Sequence, residues 1–132
     1  AKSNSILNTP PTMSIFVLNL VTNWMLEMGG IDYFQNKAHD QSTEIYDFID
    51  SNSNVLNCKV DNKYRSKSNI VFNFLNDEHN KEFVNLAAEK GIIGINGHRS
   101  VGGIRVSLFN SIDDHMFDYF MKYFQNYVRG IK

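Results

Sequence analysis

A short glycine-rich segment late in the chain concentrates groups that bind anions. Gly97 to Arg105 reads Gly-His-Arg-Ser-Val-Gly-Gly-Ile-Arg, with two guanidinium groups and one imidazole. Arginine grips a carboxylate or phosphate through two parallel hydrogen bonds, glycine lets backbone N–H groups approach the same oxygens, and histidine adds a donor that can be charged near neutral pH. These residues predict an anion site at His98, Arg99 and Arg105. A glycine-rich turn with two solvated arginines fits the same pattern equally well.

A second candidate anion site lies at Asn8 and Thr9, directly before Pro10-Pro11 and a predicted helix. The first N–H groups of a helix have no partner inside it, and such an end attracts phosphate. The Asn8 amide and the Thr9 hydroxyl would add neutral hydrogen bonds to the same phosphate oxygens. The alternative is ordinary helix capping followed by a proline stop, which local grounds favour.

Arg65 lies in a basic segment with Lys59, Lys63 and Lys67. A nucleic-acid patch needs a basic field and aromatic residues on which bases stack. The chain has a net charge of -1, and Tyr64 is the only aromatic residue within the segment. We therefore expect a solvated loop and no nucleic-acid partner.

The remaining candidate side chains predict neither a metal site nor a nucleophile. His39, His79 and His115 lack the partner at helical spacing that a metal site requires, so we expect all three to be solvated. Cys58 is the only cysteine, which excludes an internal disulfide, and no catalytic histidine accompanies it in a recognisable motif. An ordinary thiol is expected, and a cytoplasmic location is the default.

Hydrophobic periodicity predicts the elements that position these residues. The predicted order is two helices, two strands, one helix, two strands and one helix, at about 13–28, 31–49, 55–60, 69–74, 76–89, 92–95, 104–109 and from 113 onward. The first helix has an amphipathic pattern of apolar residues and ends at Gly29-Gly30. We expect an α+β fold in which helices cover a small, mainly antiparallel sheet.

Length and composition favour one folded domain over residues 1–132. Hydrophobic residues make up 42% of the 132 residues, which is too apolar for a disordered chain. No apolar run approaches the roughly 20 residues of a membrane span, so no membrane partner is expected. Any anion recognition must be local, because the net charge is close to zero.

The two candidate sites together resemble the phosphoserine aminotransferase family, which are fold-type-I pyridoxal-phosphate enzymes of class V. The likeness runs from Asn8 to the last helix. Its motifs are Asn8–Thr12, Gly29-Gly30, Tyr46–Asp50, Arg65-Ser66 with Asn69–Phe72, and above all Gly97–Asn110. Departures from the family pattern at Ser68, Val106, Phe109 and Ser111 remove no charged group.

The resemblance implies a role for each site residue. Asn8 and Thr9 would bind the phosphate of pyridoxal 5'-phosphate in the neighbouring subunit, which implies a homodimer. His98 and Arg99 would hold the substrate's phosphate, and Arg105 would hold the α-carboxylate. The implied reaction exchanges an amino group between O-phospho-L-serine and 2-oxoglutarate, with 3-phosphohydroxypyruvate and glutamate as the other pair, in serine biosynthesis.

The family's Schiff-base lysine, in a Gln-Lys-Asn-like motif, does not occur in this sequence. The resemblance therefore implies a C-terminal fragment of a longer aminotransferase, with residues 1–30 joining it to a large domain. No catalytic residue is assigned within the chain, and the fragment alone is expected to be inactive. The alternative is a stand-alone α+β module that binds a small anionic molecule through His98, Arg99 and Arg105.

Overall fold

The computed structural model describes residues 8–131, which form two compact units, residues 8–36 and residues 37–131. The regular elements of these residues are helices α1 (Thr12–Glu27), α2 (Gly30–Ser51), α3 (Asp77–Glu89) and α4 (Asp114–Gly130), a 3-10 helix (Asn62–Tyr64), and strands β1 (Leu56–Asn57), β2 (Asn69–Phe74) and β3 (Ile104–Ser107). The predicted α+β class is confirmed.

In the first unit, α1 begins directly after Pro11 and is followed by Gly29 and Gly30, whose φ angles are 112° and 69°. The helix predicted at about 13–28 is confirmed within a residue at each end, and none of its residues is buried. Ile15, Leu18 and Leu26 place further apolar side chains outside the stripe that the sequence pattern predicts. Their exposed fractions are 55%, 62% and 71%.

Among residues 8–131, no single helix is long and apolar enough to cross a membrane. Only α1 and α2 counted together, as a bent pair, reach the required length and hydropathy.

The second unit is built on an antiparallel sheet with the strand order β1-β2-β3. β2 is central: Phe74 lies opposite Leu56 of β1, and Phe72 lies opposite Ile104 of β3. Alternation along β2 and β3 buries every second side chain on one face, as strand geometry requires. The predicted bounds of β2 are confirmed.

Helices α2, α3 and α4 supply the rest of the core on that buried face. Phe124 of α4 stacks on Phe72 of β2 with ring centroids 4.8 Å apart, and it contacts Phe48 of α2 at the same distance. Phe83 of α3 is also fully buried beside Phe124. This aromatic core covers one face of the sheet, and the other face is more exposed.

Three predicted strands differ from the structure, the last of them only in its end: the strand predicted at 104–109 ends at Ser107. Residues 92–95 do not form a strand, because Gly91 and Gly94 have φ angles of 79° and 76° that turn the chain away from β3. Pairing with β3 is limited to an isolated bridge between Asn96 and Ile104 and to its flanking hydrogen bonds. The strand predicted at 55–60 is reduced to Leu56–Asn57.

Candidate functional site

The predicted anion segment forms a closed turn immediately before β3. The Gly97 N–H donates to the Gly103 carbonyl at 2.9 Å, which joins the two ends of the turn. Inside it, the N–H groups of Val101 and Gly102 both donate to the His98 carbonyl, at 2.8 Å and 2.7 Å. The backbone therefore fixes where His98 and Arg99 are presented.

Two of the glycines in this turn are required by close packing. A Cβ on Gly97 would overlap the Gly102 carbonyl group. A Cβ on Gly103 would overlap the side chain of Asn73 in β2, and Gly103 also has a φ of 73°, a region that other residues rarely adopt. The turn thus lies directly against the central strand.

His98 and Arg99 are both exposed on this turn. The Ser100 N–H lies 3.3 Å from His98 Nδ1, and the Ser100 hydroxyl lies 2.7 Å from the same atom. Because a backbone N–H can only donate, Nδ1 acts as an acceptor there, and the ring proton then sits on Nε2. The histidine therefore offers an Nε2–H donor to an outside acceptor, next to the Arg99 guanidinium.

Arg105 lies in β3 opposite Val71, half-buried on the face that carries no core residues. Its backbone N–H donates to the Ile95 carbonyl at 2.9 Å. Its Nε is buried, and no hydrogen-bond partner for that atom occurs among residues 8–131. No carboxylate within the described residues forms an ion pair with Arg105. A half-buried guanidinium without a partner is suited to an external carboxylate.

Asn8 and Thr9 lie in the first unit, exposed and directly before α1. Pro11 occupies the N-cap of α1, and no side chain caps the helix end. The predicted capping role for these residues is therefore absent from the structure, and the first N–H groups of α1 lack a side-chain acceptor. His98 and Arg99 lie on the turn before β3 and Arg105 lies within β3, all in the second unit, whereas Asn8 and Thr9 belong to the first.

Arg65 is not the solvated residue that its basic neighbours predicted. Its Nη1 and Nη2 donate to the two carboxylate oxygens of Asp50, both at 2.7 Å, and its guanidinium lies 4.6 Å from the centroid of the Tyr46 ring. Only 13% of the side chain is exposed. The paired Arg65 guanidinium holds the pKa of Asp50 below its usual range, mainly through these hydrogen bonds.

The same cluster includes Tyr46, whose hydroxyl donates to the Ser66 carbonyl at 3.0 Å. Burial raises the pKa of Tyr46 to about 12. The segments Tyr46–Asp50 and Arg65-Ser66, which are far apart in sequence, are thus joined by direct contacts. The sequence analysis did not pair Arg65 with Asp50 of α2, because only the fold brings that carboxylate beside the loop that carries Arg65.

His79 was also wrongly predicted to be solvated. Its Nδ1 lies 3.1 Å from both Glu82 Oε2 and the Tyr127 hydroxyl, and the Tyr127 hydroxyl donates to Glu82 Oε2 at 2.7 Å. Donation by Tyr127 and His79 lowers the pKa of Glu82. His39 and His115 are exposed, as predicted. Within residues 8–131 no three His, Cys, Asp or Glu side chains are grouped so that they would hold a metal ion.

The sequence profile described as aminotransferase class-V matches residues 1–120. The chain belongs to the class-V aminotransferase family. A curated phosphoserine aminotransferase of Dichelobacter nodosus is 42% identical over 113 residues, which is 86% of this chain and 31% of that protein. One from Bacillus thuringiensis is 37% identical over 96% of this chain and 35% of the relative.

Solved class-V aminotransferases show the same fold. The structure of the phosphoserine aminotransferase from Bacillus circulans subsp. alkalophilus superposes with a TM-score of 0.92 at 34% identity, over 99% of this chain and 36% of the solved one. The chain therefore spans about a third of the length of the relatives that it matches. Phosphoserine aminotransferase from Trichomonas vaginalis, solved with bound PLP, has a TM-score of 0.83 at 28% identity, over 94% of this chain and 36% of the solved one.

Proposed function

We propose that this chain is the substrate-binding part of a phosphoserine aminotransferase. The enzyme would exchange an amino group between O-phospho-L-serine and 2-oxoglutarate, with 3-phosphohydroxypyruvate and glutamate as the products, in serine biosynthesis. The observation that carries the proposal is Arg105, a half-buried guanidinium without a carboxylate partner among residues 8–131, beside the turn that exposes His98 and Arg99. Each of these four molecules carries two anionic groups: a phosphate and a carboxylate in the phosphorylated pair, and two carboxylates in the other pair.

The chain's own residues divide the work between two anionic groups. His98 Nε2–H and the Arg99 guanidinium bind the phosphate, where solvent access suits a doubly charged group that has to enter and leave. Arg105 binds the α-carboxylate that phosphoserine and glutamate share, and its partial burial strengthens the interaction and fixes its direction. Two anchors at the ends of one substrate define the orientation of its amino group.

The cofactor of this enzyme would be pyridoxal 5'-phosphate, which acts as an electron sink for the carbanion formed at the substrate carbon. Asn8 and Thr9 fit its phosphate group, because they place a neutral amide and hydroxyl at a helix end that no side chain caps. We propose that they bind the cofactor of a second subunit in a homodimer. The lysine that holds the cofactor would belong to a part of the enzyme outside these residues.

The test compares Arg99→Ala with Arg105→Ala in the full-length protein that contains this segment. Loss of a charge-assisted bond to substrate costs about 1.5–3 kcal/mol, or roughly 10- to 100-fold in kcat/KM. Arg99→Ala should lower kcat/KM for phosphoserine by that factor and lower kcat/KM for glutamate far less. Arg105→Ala should lower both. Arg129→Ala, on the exposed end of α4, is the matched control and should change neither.

Equal losses for the two substrates after Arg99→Ala would contradict the phosphate assignment. The alternative, a stand-alone module that binds a small anion, predicts a different result. In that case the 132-residue chain would bind phosphoserine in the absence of pyridoxal phosphate. Amino-group transfer would then not be found in any longer protein that contains the segment. The cytoplasmic location expected from the sequence stays a prediction, which fractionation of the producing cells would test.

A further inference from the structure

Ser100 contacts the imidazole of His98 on the turn before β3. The Ser100 hydroxyl lies 2.7 Å from His98 Nδ1, and the Ser100 N–H donates to the same atom at 3.3 Å. Within residues 8–131 no other group forms a hydrogen bond to this ring. The orientation of an otherwise exposed histidine therefore depends on one neighbouring residue.

The Ser100 N–H determines which edge of the His98 ring faces the turn. A backbone N–H can only donate, so it requires a ring atom with a free lone pair. Nδ1 without a proton provides that lone pair, whereas a ring turned by 180° would present its Cδ2–H group, which accepts no hydrogen bond. In the neutral ring the proton therefore lies on Nε2, and the Ser100 hydroxyl also donates to Nδ1.

The backbone of the turn holds Ser100 in this position. The His98 carbonyl accepts from the N–H groups of Val101 and Gly102, at 2.8 Å and 2.7 Å, and these two bonds close a loop of backbone that contains Ser100. An exposed histidine without such contacts occupies several rotamers, and a ligand that requires one of them pays the entropy of ordering it. The Ser100 contacts reduce that cost, because the ring is already ordered before a ligand binds.

We propose that Ser100 is a positioning residue for phosphate binding: it holds His98 in the orientation and the tautomer in which Nε2–H donates to a phosphate oxygen. The inference rests on the proposed function, which assigns the phosphate to His98 and Arg99. The oxygens of a phosphate dianion only accept hydrogen bonds, so an Nε2 that carries the proton attracts them. In the opposite tautomer Nε2 would direct a lone pair at the same oxygens and repel them.

Kinetics of the full-length protein that contains this segment test the role of the hydroxyl. Ser100→Ala removes one of two donors to Nδ1, so kcat/KM for phosphoserine should fall by about 2- to 10-fold, and kcat/KM for glutamate should fall less. Ser100→Thr keeps the hydroxyl and should retain the wild-type value. Ser53→Ala, at an exposed position after α2, is the matched control and should change neither. A loss in Ser100→Thr as large as that in Ser100→Ala would overturn the inference.

A double-mutant cycle with His98→Ala shows whether Ser100 acts through the histidine. If it does, Ser100→Ala should cause no further loss once His98 is alanine. A hydroxyl that contacted the phosphate itself, or one that only stabilised the turn, would give equal losses in both backgrounds and would overturn the inference. The cycle also separates the two proposals. A His98→Ala variant with unchanged phosphoserine turnover refutes the phosphate assignment, whereas a loss in His98→Ala without one in Ser100→Ala refutes only the role of Ser100.

Nitrogen-15 NMR of the full-length protein, labelled at histidine, measures the tautomer directly. The His98 signals are assigned by their loss in His98→Gln, and the spectrum is recorded at about pH 8.5, above the ordinary pKa range of histidine side chains. We expect an Nδ1 signal typical of a nitrogen without a proton and an Nε2 signal typical of one that carries it. A proton on Nδ1, or an equal mixture of the two tautomers, would overturn the inference.

Discussion

Arg65 and Arg105 both bury part of the guanidinium, but only Arg65 has a carboxylate partner among the described residues. Arg65 and Arg105 each bury an Nε without a hydrogen-bond partner among the described residues. Asp50 accepts from both terminal nitrogens of Arg65, whereas no carboxylate of residues 8–131 pairs with Arg105. The first arrangement stabilises the fold, and the second keeps a charge available for a ligand.

The two arginines should therefore have opposite effects on stability. Arg65→Ala removes a bidentate pair and a ring contact; allowing for the 48% exposure of the Asp50 side chain, we expect a loss of about 1–2 kcal/mol in the free energy of unfolding. Arg105→Ala removes a half-buried charge that has no partner, so we expect no loss or a small gain. Denaturant unfolding of both variants, with the exposed Lys67→Ala as control, measures the difference.

The contribution of Arg65 should also depend on pH. The pKa of Asp50 is lower in the folded protein than in the unfolded chain. The ion pair therefore stabilises the fold fully at a pH above the unfolded-chain pKa, and this stabilisation is lost as the pH falls through the pKa of the folded protein. The destabilisation caused by Arg65→Ala should thus shrink between about pH 5 and pH 2. An equally large destabilisation at both ends of that range would contradict the assignment.

Sequence periodicity predicted correctly the helices and strands whose bounds depend on neighbouring residues in the sequence. The bounds of β2 and the starts of α3 and α4 follow from alternation and from capping by Asn76 and Asp113, and each was correct within a residue or two. The strand expected at 92–95 failed because the backbone angles of Gly91 and Gly94 outweigh the preference of three isoleucines for strands.

The positions of the candidate site residues could be predicted in part for the same reason, whereas their roles stay a prediction. His98, Arg99 and Arg105 are close in sequence, so a predicted loop followed by a strand sufficed to place them on the turn before β3 and within β3. The pairing of Arg65 with Asp50 could not be predicted, because it depends on how α2 packs beside a loop 15 residues further on. The same holds for His79 and Tyr127, which are 48 residues apart.

The turn before β3 makes a prediction at the level of the element. Gly102 and Gly103 have the same φ of 73°, but a Cβ on Gly102 meets nothing within 4 Å, whereas one on Gly103 would overlap Asn73. Gly102→Ala should cost about 1 kcal/mol from backbone strain alone. Gly103→Ala should cost about 1–3 kcal/mol more, as overpacking does. Thermal unfolding of the two variants separates the effects, and equal costs would show that no close packing exists.

At the scale of the whole molecule, large apolar side chains are exposed on both units. No residue of α1 is buried, and its apolar side chains Phe16, Leu18 and Leu20 are exposed by 57%, 62% and 51%. An apolar groove beside β3, lined in part by Ile93 and Phe109, is a second apolar surface, on the other unit. Both fit a segment that makes up about a third of the length of its relatives.

A polypeptide of only these 132 residues should therefore have no transaminase activity, even with pyridoxal phosphate added. Its sequence has the proposed anchors for the substrate's phosphate and carboxylate but lacks the family's lysine motif, and without that lysine no group would hold the cofactor or move the substrate's α-proton. The assay follows glutamate formation from phosphoserine and 2-oxoglutarate. Turnover that is abolished by Arg105→Ala would contradict the prediction, since a contaminating enzyme would be unaffected by that change. Absence of turnover in the 132-residue chain, together with turnover by the full-length protein that contains it, is the result that a substrate-binding part of a larger active site requires.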